Sequence, residues 1–448
     1  MPNELELKPS RNSRTYVYRI ASVAALGGLL FGYDTAIING AIVFLKQQFH
    51  WNDWETELAA SSLLAGCIVG SAIAGSLSDR YGRRRILLLS AAIFAISAIA
   101  TALPHSLVPF ACARLAGGVA IGIASMLAPL YIAEVAPEAI RGQLVSMNQL
   151  AITIGILVSY LVGWGLSFVG TSGWRWMFAS MAVPSLLFFF ALFTVPESPR
   201  WLVRIGRDTE AIGVLRRCGE SASRVGEIKA AIAQEEGASL FQRSLRKPLT
   251  IGIVLAVLQQ ITGINTILYY GSIIFTEQIK SASASSALMA NVIIGAVNTI
   301  CTVAAILMID KLGRKPLLMA ASAGMAACLF VMGFLFRLAH PPGTLILVLI
   351  LGYVAWFAIG LGPGVWVVIA ELFPTGVRGR AVSISTVSLW VACLVITSTF
   401  LTIVKLFSIT GAFWLYAFLS VVTFVFVWRV VPETKGQTLE EIERQWVG

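Results

Sequence analysis

The sequence carries one short charged motif twice, DRYGRRR at residues 79–85 and DKLGRK at residues 310–315. Two further motifs recur in the same order: EVAPEAIR from Glu134 and ELFPTGVR from Glu371, then PESPR from Pro196 and PETKG from Pro432. The three spacings are nearly equal, at 231, 237 and 236 residues. Three motifs repeated in one order at one spacing predict a duplicated chain whose two halves have the same orientation.

The stretches between these motifs are strongly apolar. Of 448 residues, 57% are hydrophobic and 12% are charged, with a mean hydropathy of +0.81. Soluble proteins average about 25% charged residues. Apolar runs of about 20 residues, long enough to cross a bilayer, recur along the whole chain. A single large soluble core is therefore excluded, and we predict an all-α membrane protein.

The hydropathy pattern predicts twelve membrane spans, six in each half. An even number of spans places both termini on one side of the membrane. The predicted spans are residues 17–45, 57–79, 86–104, 107–133, 143–168, 176–195, 249–278, 287–310, 316–337, 343–370, 380–405 and 411–431.

The basic residues predict the orientation of these spans. The formal charge of +10 would suggest a nucleic-acid partner in a soluble protein. Here Lys and Arg cluster between spans, on the side of the two repeated charged motifs and both termini. The other side holds only Lys46, Arg175, Lys280, Arg337 and Lys405. By the positive-inside rule we expect a multi-pass protein of the plasma membrane with cytoplasmic termini and lipid, not nucleic acid, around it.

The polar stretch between the halves divides the chain. We predict an N-terminal half at 1–200, a linker at 201–248 and a C-terminal half with a short tail at 249–448. Within the linker, DTEAIGVLRRC and SRVGEIKAAIAQEEG have the pattern of short amphipathic helices at the inner surface. The linker is as compatible with a solvated connection as with a role in gating.

Charged residues stand at matching places at the inner ends of both halves. We predict that they form an ion-pair network that holds one conformation and breaks in another. The alternative is a set of surface pairs worth about 0–1 kcal/mol each. The residues are Asp79, Arg83, Glu134, Arg141, Glu197, Arg200, Asp310, Arg314, Glu371, Arg378 and Glu433.

Two charges lie deep inside spans. Asp34 is 12 residues before Lys46, and Arg114 is nine residues after His105. At about 1.5 Å per residue, both lie some 13–18 Å from the outer end of their helices. An unpaired ion there costs at least about 2.5–3.5 kcal/mol. We therefore expect Asp34 and Arg114 to face each other or a shared water-filled cavity. The two residues are either functional or a static structural pair.

Amide side chains gather in the seventh span. QQITGIN places Gln259, Gln260 and Asn265 within two turns. Amides donate and accept hydrogen bonds, which suits a hydroxyl-rich ligand, although a single amide often only joins helices. Gln149 and Asn298 supply further amides, and Trp366 and Trp390 supply flat apolar surfaces. The stretch GLGPGVW at residues 360–366 predicts a flexible break in the tenth span.

The sequence does not suggest an enzyme. The three histidines, His50, His105 and His340, all fall in predicted outer loops without a Ser or Cys constellation. The six cysteines have no paired spacing and are expected to be small core residues. We therefore expect no catalytic residue and no metal site.

Taken together, these motifs resemble the sugar porter family of the major facilitator superfamily. The resemblance extends from Gly27 to Gly436 and includes GGLLFGYDTAIING, RLAGG, YIAEVAPEAIRG, PESPRWL, QQITGIN and PETKG beside the two charged motifs. It implies the major facilitator fold, two pseudo-symmetric six-helix halves with short intracellular helices.

The resemblance also implies roles for individual residues. Asp34 corresponds to an aspartate of proton-coupled members, facing the arginine that opens RLAGG, Arg114. Tyr269 and Tyr270 correspond to the family's outer gate. The positions implied to contact the sugar are Gln149, Gln259, Gln260, Asn265, Asn298, Gly362 and Trp366, with Trp390 beside them. Leu389 departs from the pattern, because relatives often carry Asn or Gln there, and this removes one hydroxyl partner.

These implications lead to one expected function and several alternatives. We expect proton-coupled symport of a hexose or pentose by alternating access, with the proton as the coupling ion, no other cofactor and a monomeric chain. A facilitative uniporter, a carrier of polyols or organic acids, and a sugar sensor remain open. A sensor usually needs a long cytoplasmic extension, and the segment after Pro432 is short.

Overall fold

The computed structural model describes residues 11–137, 140–237, 242, 245–278, 284–373 and 375–435. In these ranges the chain is helical, without β-strands. The helices of the first half are α1 (Arg11–Phe49), α2 (Asp53–Tyr81), α3 (Arg83–Ala102), α4 (Leu107–Val135), α5 (Arg141–Leu166), α6 (Gly173–Ser180) and α7 (Ala182–Leu192). The connecting helices are α8 (Pro199–Arg204), α9 (Asp208–Arg217) and α10 (Arg224–Gly237).

In the second half, the described residues form seven α-helices, two pairs of which are separated by a short break inside one predicted span. They are α11 (Arg246–Ile261), α12 (Ile264–Ile273), α13 (Ala284–Leu312), α14 (Arg314–Leu335), α15 (Gly343–Ile359), α16 (Leu361–Glu371) and α17 (Thr375–Val430). The break between α11 and α12 falls in the seventh predicted span, and the break between α15 and α16 falls in the tenth.

Eleven helical stretches of the described residues are long and apolar enough to cross a membrane. The last, Val377–Val430, has 54 residues. As one straight helix it would be about 80 Å long, well beyond a hydrocarbon core of about 30 Å. Its backbone leaves helical geometry at Ser408, with φ 65° and ψ 166°. It is therefore two successive spans, and the predicted twelve-span helical fold is confirmed.

The two ends of the helix bundle differ in charge. We call the basic end the one that carries Arg83, Arg314 and the connecting helices α8–α10, and the opposite end the one that carries His105 and Lys405. The predicted connecting helices are present as α9 and α10. The boundaries at residues 200 and 248 stay a prediction, and α8 extends across the first of them.

Glycines allow α2 and α4 to pack backbone against backbone. A Cβ atom added at Gly118 would lie 1.8 Å from the carbonyl oxygen of Leu63, and one added at Gly66 would lie 2.0 Å from that of Leu115. Real Cβ atoms do not approach an oxygen so closely. Small residues at such crossings permit dense helix packing in membranes, where no hydrophobic effect drives association.

We expect Gly118→Ala to destabilise the fold by about 3 kcal/mol, because the backbones of α2 and α4 must separate. Gly165→Ala in α5 is the matched control, because no described atom beyond the backbone of its own helical turns lies within 4 Å of its added methyl group. Thermal unfolding of the two purified variants would measure the difference. Equal melting temperatures would show that the close approach is not important for stability.

Candidate functional site

Asp34 and Arg114 form an ion pair in the interior of the first half. The guanidinium of Arg114, from α4, donates through Nη1 to Asp34 Oδ1 and through Nη2 at 3.4 Å to the backbone oxygen of Asp34. Both side chains are buried, with 2% and 0% exposed. The expectation that the two deep charges face each other thus agrees with the geometry.

Small and aromatic neighbours position this pair. A Cβ at Gly117, in α4, would lie 3.2 Å from Asp34 Oδ2, so the glycine lets α1 bring the carboxylate against α4. The ring of Phe178 lies 5.4 Å from the guanidinium carbon of Arg114, a favourable cation–π distance. Asp34 Oδ2 and Arg114 Nε have no hydrogen-bond partner among the described residues. The carboxylate therefore keeps one oxygen available to a proton.

The amides of the seventh span form one hydrogen-bonded cluster in the second half. Asn265 Nδ2 donates to Gln260 Oε1, and at 2.9 Å to the sulfur of Cys393 in α17. Gln260 Nε2 donates to Gln259 Oε1 at 3.2 Å. Gln259 and Gln260 are 2% and 7% exposed. The predicted polar cluster is present, with amide faces arranged in a chain of donors and acceptors.

A backbone break creates this cluster. Gly263 has φ +91°, in the left-handed region that favours glycine, and its missing Cβ would lie 2.6 Å from the ring of Tyr416. The chain can therefore leave α11 and begin α12 with the amides on both sides of the break. The hydroxyl of Tyr353 donates to the carbonyl of Thr262 at 2.9 Å, which satisfies one backbone oxygen there.

The second break, between α15 and α16, is held by the same cluster. Gln259 Nε2 donates to the carbonyl of Leu361 at 2.7 Å and to that of Gly362 at 3.2 Å. Gln259 thus joins the interrupted tenth span to the seventh, a task that the sequence did not indicate. In this conformation the side-chain nitrogen of Gln259 is bound to backbone carbonyl groups. Its contact with a ligand stays a prediction.

The other predicted ligand positions lie on several helices. Asn298 of α13 is 6% exposed, while Gln149 of α5 and Trp366 of α16 are partly exposed. Trp390 of α17 is 3% exposed, and its ring centre lies 5.3 Å from that of Phe31 in α1, across the two halves. The indole N–H of Trp390 has no acceptor among the described residues. Leu389 beside it is buried and apolar.

The two predicted gate tyrosines are fully buried in α12. The hydroxyl of Tyr270 donates to the carbonyl of Thr397 at 2.7 Å, and its ring stacks on Phe400 at 5.3 Å. The hydroxyl of Tyr269 has no hydrogen-bond partner among the described residues. Tyr270 therefore fixes α12 to α17, and a gating role of either tyrosine stays a prediction.

Sequence reasoning missed a set of polar contacts that closes the opposite end between the halves. We call this set the amide seam: Asn39, Tyr160, Leu268, Ser272 and Asn291. The backbone N–H of Ser272 donates to Asn39 Oδ1 at 2.7 Å, Asn291 Nδ2 donates to the same oxygen at 3.4 Å, and the hydroxyl of Tyr160 donates to the carbonyl of Leu268 at 3.1 Å. Within the second half, Asn291 Nδ2 also donates to Ser272 Oγ at 2.8 Å. Asn39 could have indicated these contacts, because it is an amide inside the first apolar span, five residues after Asp34.

The charged residues at the basic end form two similar groups, one in each half. In the first half, Arg83 pairs with Glu134 at 3.0 Å and with Asp79 at 3.0 Å, and Glu197 Oε1 accepts the backbone N–H groups of Arg83 and Arg84. In the second half, Arg314 pairs with Glu371 at 3.0 Å, and Glu433 accepts the backbone N–H groups of Arg314 and Lys315.

The remaining predicted network residues are Arg141, Arg200, Asp310 and Arg378. Arg378 donates to the carbonyl of Phe373 at 3.2 Å and interacts electrostatically with Arg141, Arg200 and Glu371. The side chain of Asp310 lies outside the described residues. The ion pairs described above connect helices within a half, and their breakage during a conformational change remains a prediction.

Comparison with known proteins identifies the family. The family model for "Sugar (and other) transporter" matches residues 20–446. The chain belongs to this sugar transporter family. It is therefore a multi-pass membrane transport protein and not an enzyme, as its motifs predicted.

Two relatives of this transporter are proton symporters. The arabinose-proton symporter of Bacillus subtilis (strain 168) is 42% identical over 448 residues, covering 97% of this chain and 96% of that protein. The D-xylose-proton symporter of Escherichia coli (strain K12) is 40% identical over 475 residues, covering 96% of each. The solved structure of the proton:xylose symporter XylE bound to 6-bromo-6-deoxy-D-glucose matches with a TM-score of 0.85, at 38% identity, over 97% of this chain and 100% of that one.

In this sugar transporter, we expect Glu134→Ala to lower the free energy of unfolding by about 3–5 kcal/mol, because it leaves the buried Arg83 without its main partner. The side chains of Arg83 and Glu134 are 5% and 4% exposed. The control is Glu210→Ala, which removes an Arg207 pair at 2.5 Å whose side chains are about half exposed, a loss of at most about 1 kcal/mol. Thermal unfolding compares them, and similar losses would contradict a structural role for the buried pair.

Proposed function

We propose that this sugar transporter carries a monosaccharide, a pentose or a hexose, together with a proton. The observation that carries the proposal is the buried Asp34–Arg114 pair in one half, with the amide cluster Gln259, Gln260 and Asn265 in the other half. The first can bind a proton, and the second can bind hydroxyl groups. The names of the two relatives, an arabinose-proton and a D-xylose-proton symporter, support a pentose as the first choice.

Coupling follows from the electrostatics of the pair. While Asp34 is ionised, it compensates the charge of the buried Arg114. Protonation of Asp34 removes the attraction between the carboxylate and the guanidinium, and Arg114 must then find other acceptors. The change in α1 and α4 favours a different arrangement of the halves around a bound sugar. Release of the sugar and then of the proton on the other side resets the cycle.

The basic end indicates how the protein is oriented in the membrane. By the positive-inside rule we propose that it faces the cytoplasm, with both termini there, in the plasma membrane. The amide seam joins the halves at the opposite end. The described conformation would therefore be closed toward the outside. The chain would work as a monomer, because each half contributes to the one central site.

The sugar would contact several of the predicted residues at once. Gln260 and Asn265 offer amide groups, Asn298 and Gln149 add amides from α13 and α5, and the ring of Trp390 offers a flat surface. Leu389 makes the α17 wall apolar next to this ring. A sugar that lacks an exocyclic hydroxymethyl group, as a pentopyranose does, suits such a wall.

Transport assays test the proposal directly. The purified protein in sealed proteoliposomes is given labelled D-xylose, L-arabinose and D-glucose, first with an imposed proton gradient and then with the gradient collapsed by an ionophore. We expect accumulation above equilibrium that disappears on collapse. Equilibration at the same rate with and without a gradient would instead establish a facilitative uniporter, and uptake of none of the sugars would favour a polyol or acid substrate.

A further inference from the structure

Glu57 is a buried carboxylate at the opposite end that belongs to none of the groups described above. It lies near the start of α2, and only 2% of the residue is exposed. The two acidic residues nearer the helix start make local contacts that are usual at a helix N-terminus. Glu55 accepts the backbone N–H of Asn52 at 2.9 Å in a capping box, and Asp53 pairs with Lys46 at 3.3 Å.

The carboxylate of Glu57 reaches across from the first half to the second. Its Oε1 accepts the backbone N–H of Thr402 in α17 at 2.8 Å, and its Oε2 accepts the hydroxyl of the same residue at 2.9 Å. Both oxygens are thus used by one residue of the other half. Hydrogen bonds to a charged acceptor are stronger than neutral ones, so this contact is among the stronger polar links between α2 and α17.

The contact lies where the halves meet at the opposite end. Thr402 stands six residues before the bend at Ser408. A cavity of about 210 Å³ lies at the same end, next to Leu401, the chain neighbour of Thr402. It is lined by Asp53 of α2, Ile273 and Ile274 from the end of the seventh span, and Phe400, Leu401, Val404, Lys405 and Ile409 of α17. An opening of the halves at this end would widen this cavity and separate Glu57 from Thr402.

We infer that Glu57 and Thr402 form a clamp that holds the opposite end of the transporter closed. The clamp connects α2 with α17, whereas the amide seam connects α1 and α5 with α12 and α13. The two sets of contacts therefore hold the halves together at the opposite end through different helices. Glu57 is in this sense a positioning residue of the transport cycle. The inference rests on the proposed alternating-access function, because it assigns Glu57 to one conformation of that cycle.

Removal of the clamp shifts the population toward the conformation that is open at this end. The probe is a cysteine in place of Ile273, a cavity residue that is 3% exposed when the end is closed. The background replaces Cys112, Cys301 and Cys328, which are exposed or partly exposed, by serine. A membrane-impermeant maleimide is applied to vesicles sealed with the opposite end outward, and the rate of labelling is measured.

We expect Glu57→Ala to raise the labelling rate about tenfold, because two charge-assisted hydrogen bonds are lost. Glu57→Gln can still accept the N–H of Thr402 and donate to its hydroxyl, and should restore most of the closure. Thr402→Val loses only the hydroxyl bond and should raise the rate about threefold. Thr399→Val is the matched control on the same helix, because its hydroxyl donates to the carbonyl of Val395 at 2.6 Å and not to the other half.

The kinetics of sugar uptake provide a second readout. Uptake is measured once with sugar on one side of the membrane and once with sugar on the other. Glu57→Ala is expected to change the maximal rate and the apparent KM in one direction on one side and in the reverse direction on the other side. A general loss of stability would not do this. If Glu57→Ala and Thr402→Val were both labelled at the rate of the unmodified protein, the clamp would be overturned. Labelling does not require proton coupling, so faster labelling of these variants supports the clamp even when the uptake assay shows a uniporter.

Discussion

Asp34→Asn is expected to abolish proton-driven accumulation of sugar while sugar exchange continues. The asparagine resembles a permanently protonated aspartate and cannot release a proton. A membrane potential of 100 mV contributes about 2.3 kcal/mol per proton and one pH unit about 1.4 kcal/mol, so one coupled proton supports accumulation of roughly 500-fold. The variant should equilibrate sugar and accumulate none of it.

The experiment compares two transport modes in the same proteoliposomes. Uphill uptake is measured with an imposed gradient, and exchange is measured with equal sugar inside and outside and no gradient. Asp53→Asn is the control, because Asp53 is a partly exposed aspartate that pairs with Lys46 at the helix surface. It should keep both activities.

Folding must be separated from coupling, because Asp34→Asn leaves the buried Arg114 with a weaker partner. Asp34→Glu keeps the charge and lengthens the side chain by one methylene group, so it should fold and retain some accumulation. Gradient-dependent accumulation by a folded Asp34→Asn protein would contradict the assignment of Asp34 as the proton carrier. Asp34 would then be a structural partner of Arg114.

The sequence predicted the parts of the molecule that follow from helix geometry and membrane energetics. The rise of a helix fixes the depth of a residue in its span, so Asp34 and Arg114 could be placed at similar depths and expected to pair. Hydropathy and the repeated motifs likewise defined twelve spans in two halves. The bend at Ser408 lies within the gap predicted between residues 405 and 411.

Side-chain direction was harder to predict. Asp53, Glu55 and Glu57 all read as acidic residues in the first turns of a helix, where such residues are generally favourable. Only packing of α2 against α17 turns Glu57 inward to Thr402. For the same reason the pattern QQITGIN indicated a polar cluster, but not that Gln259 would bind the carbonyl groups of a broken helix. Both contacts depend on how distant segments meet, which local periodicity does not encode.

Gln260→Ala is expected to weaken sugar binding about 100-fold, the loss that follows when a site built to bind hydroxyl groups loses both a donor and an acceptor. Gln260 is the middle amide of the cluster, with Gln259 on one side and Asn265 on the other. Its removal also frees Asn265 to turn toward Cys393 alone, so the polar surface offered to a sugar is lost in two places.

Binding of D-xylose and L-arabinose to the detergent-purified variant would be measured by calorimetry, without any gradient, so that the result is independent of coupling. Gln143→Ala is the matched control, since Gln143 is an exposed glutamine of α5 that accepts the hydroxyl of Tyr18 at 3.2 Å. It should bind sugar as the unmodified protein does. Unchanged affinity in Gln260→Ala, at an unchanged melting temperature, would move the sugar site away from the seventh span and toward Gln149 and Asn298.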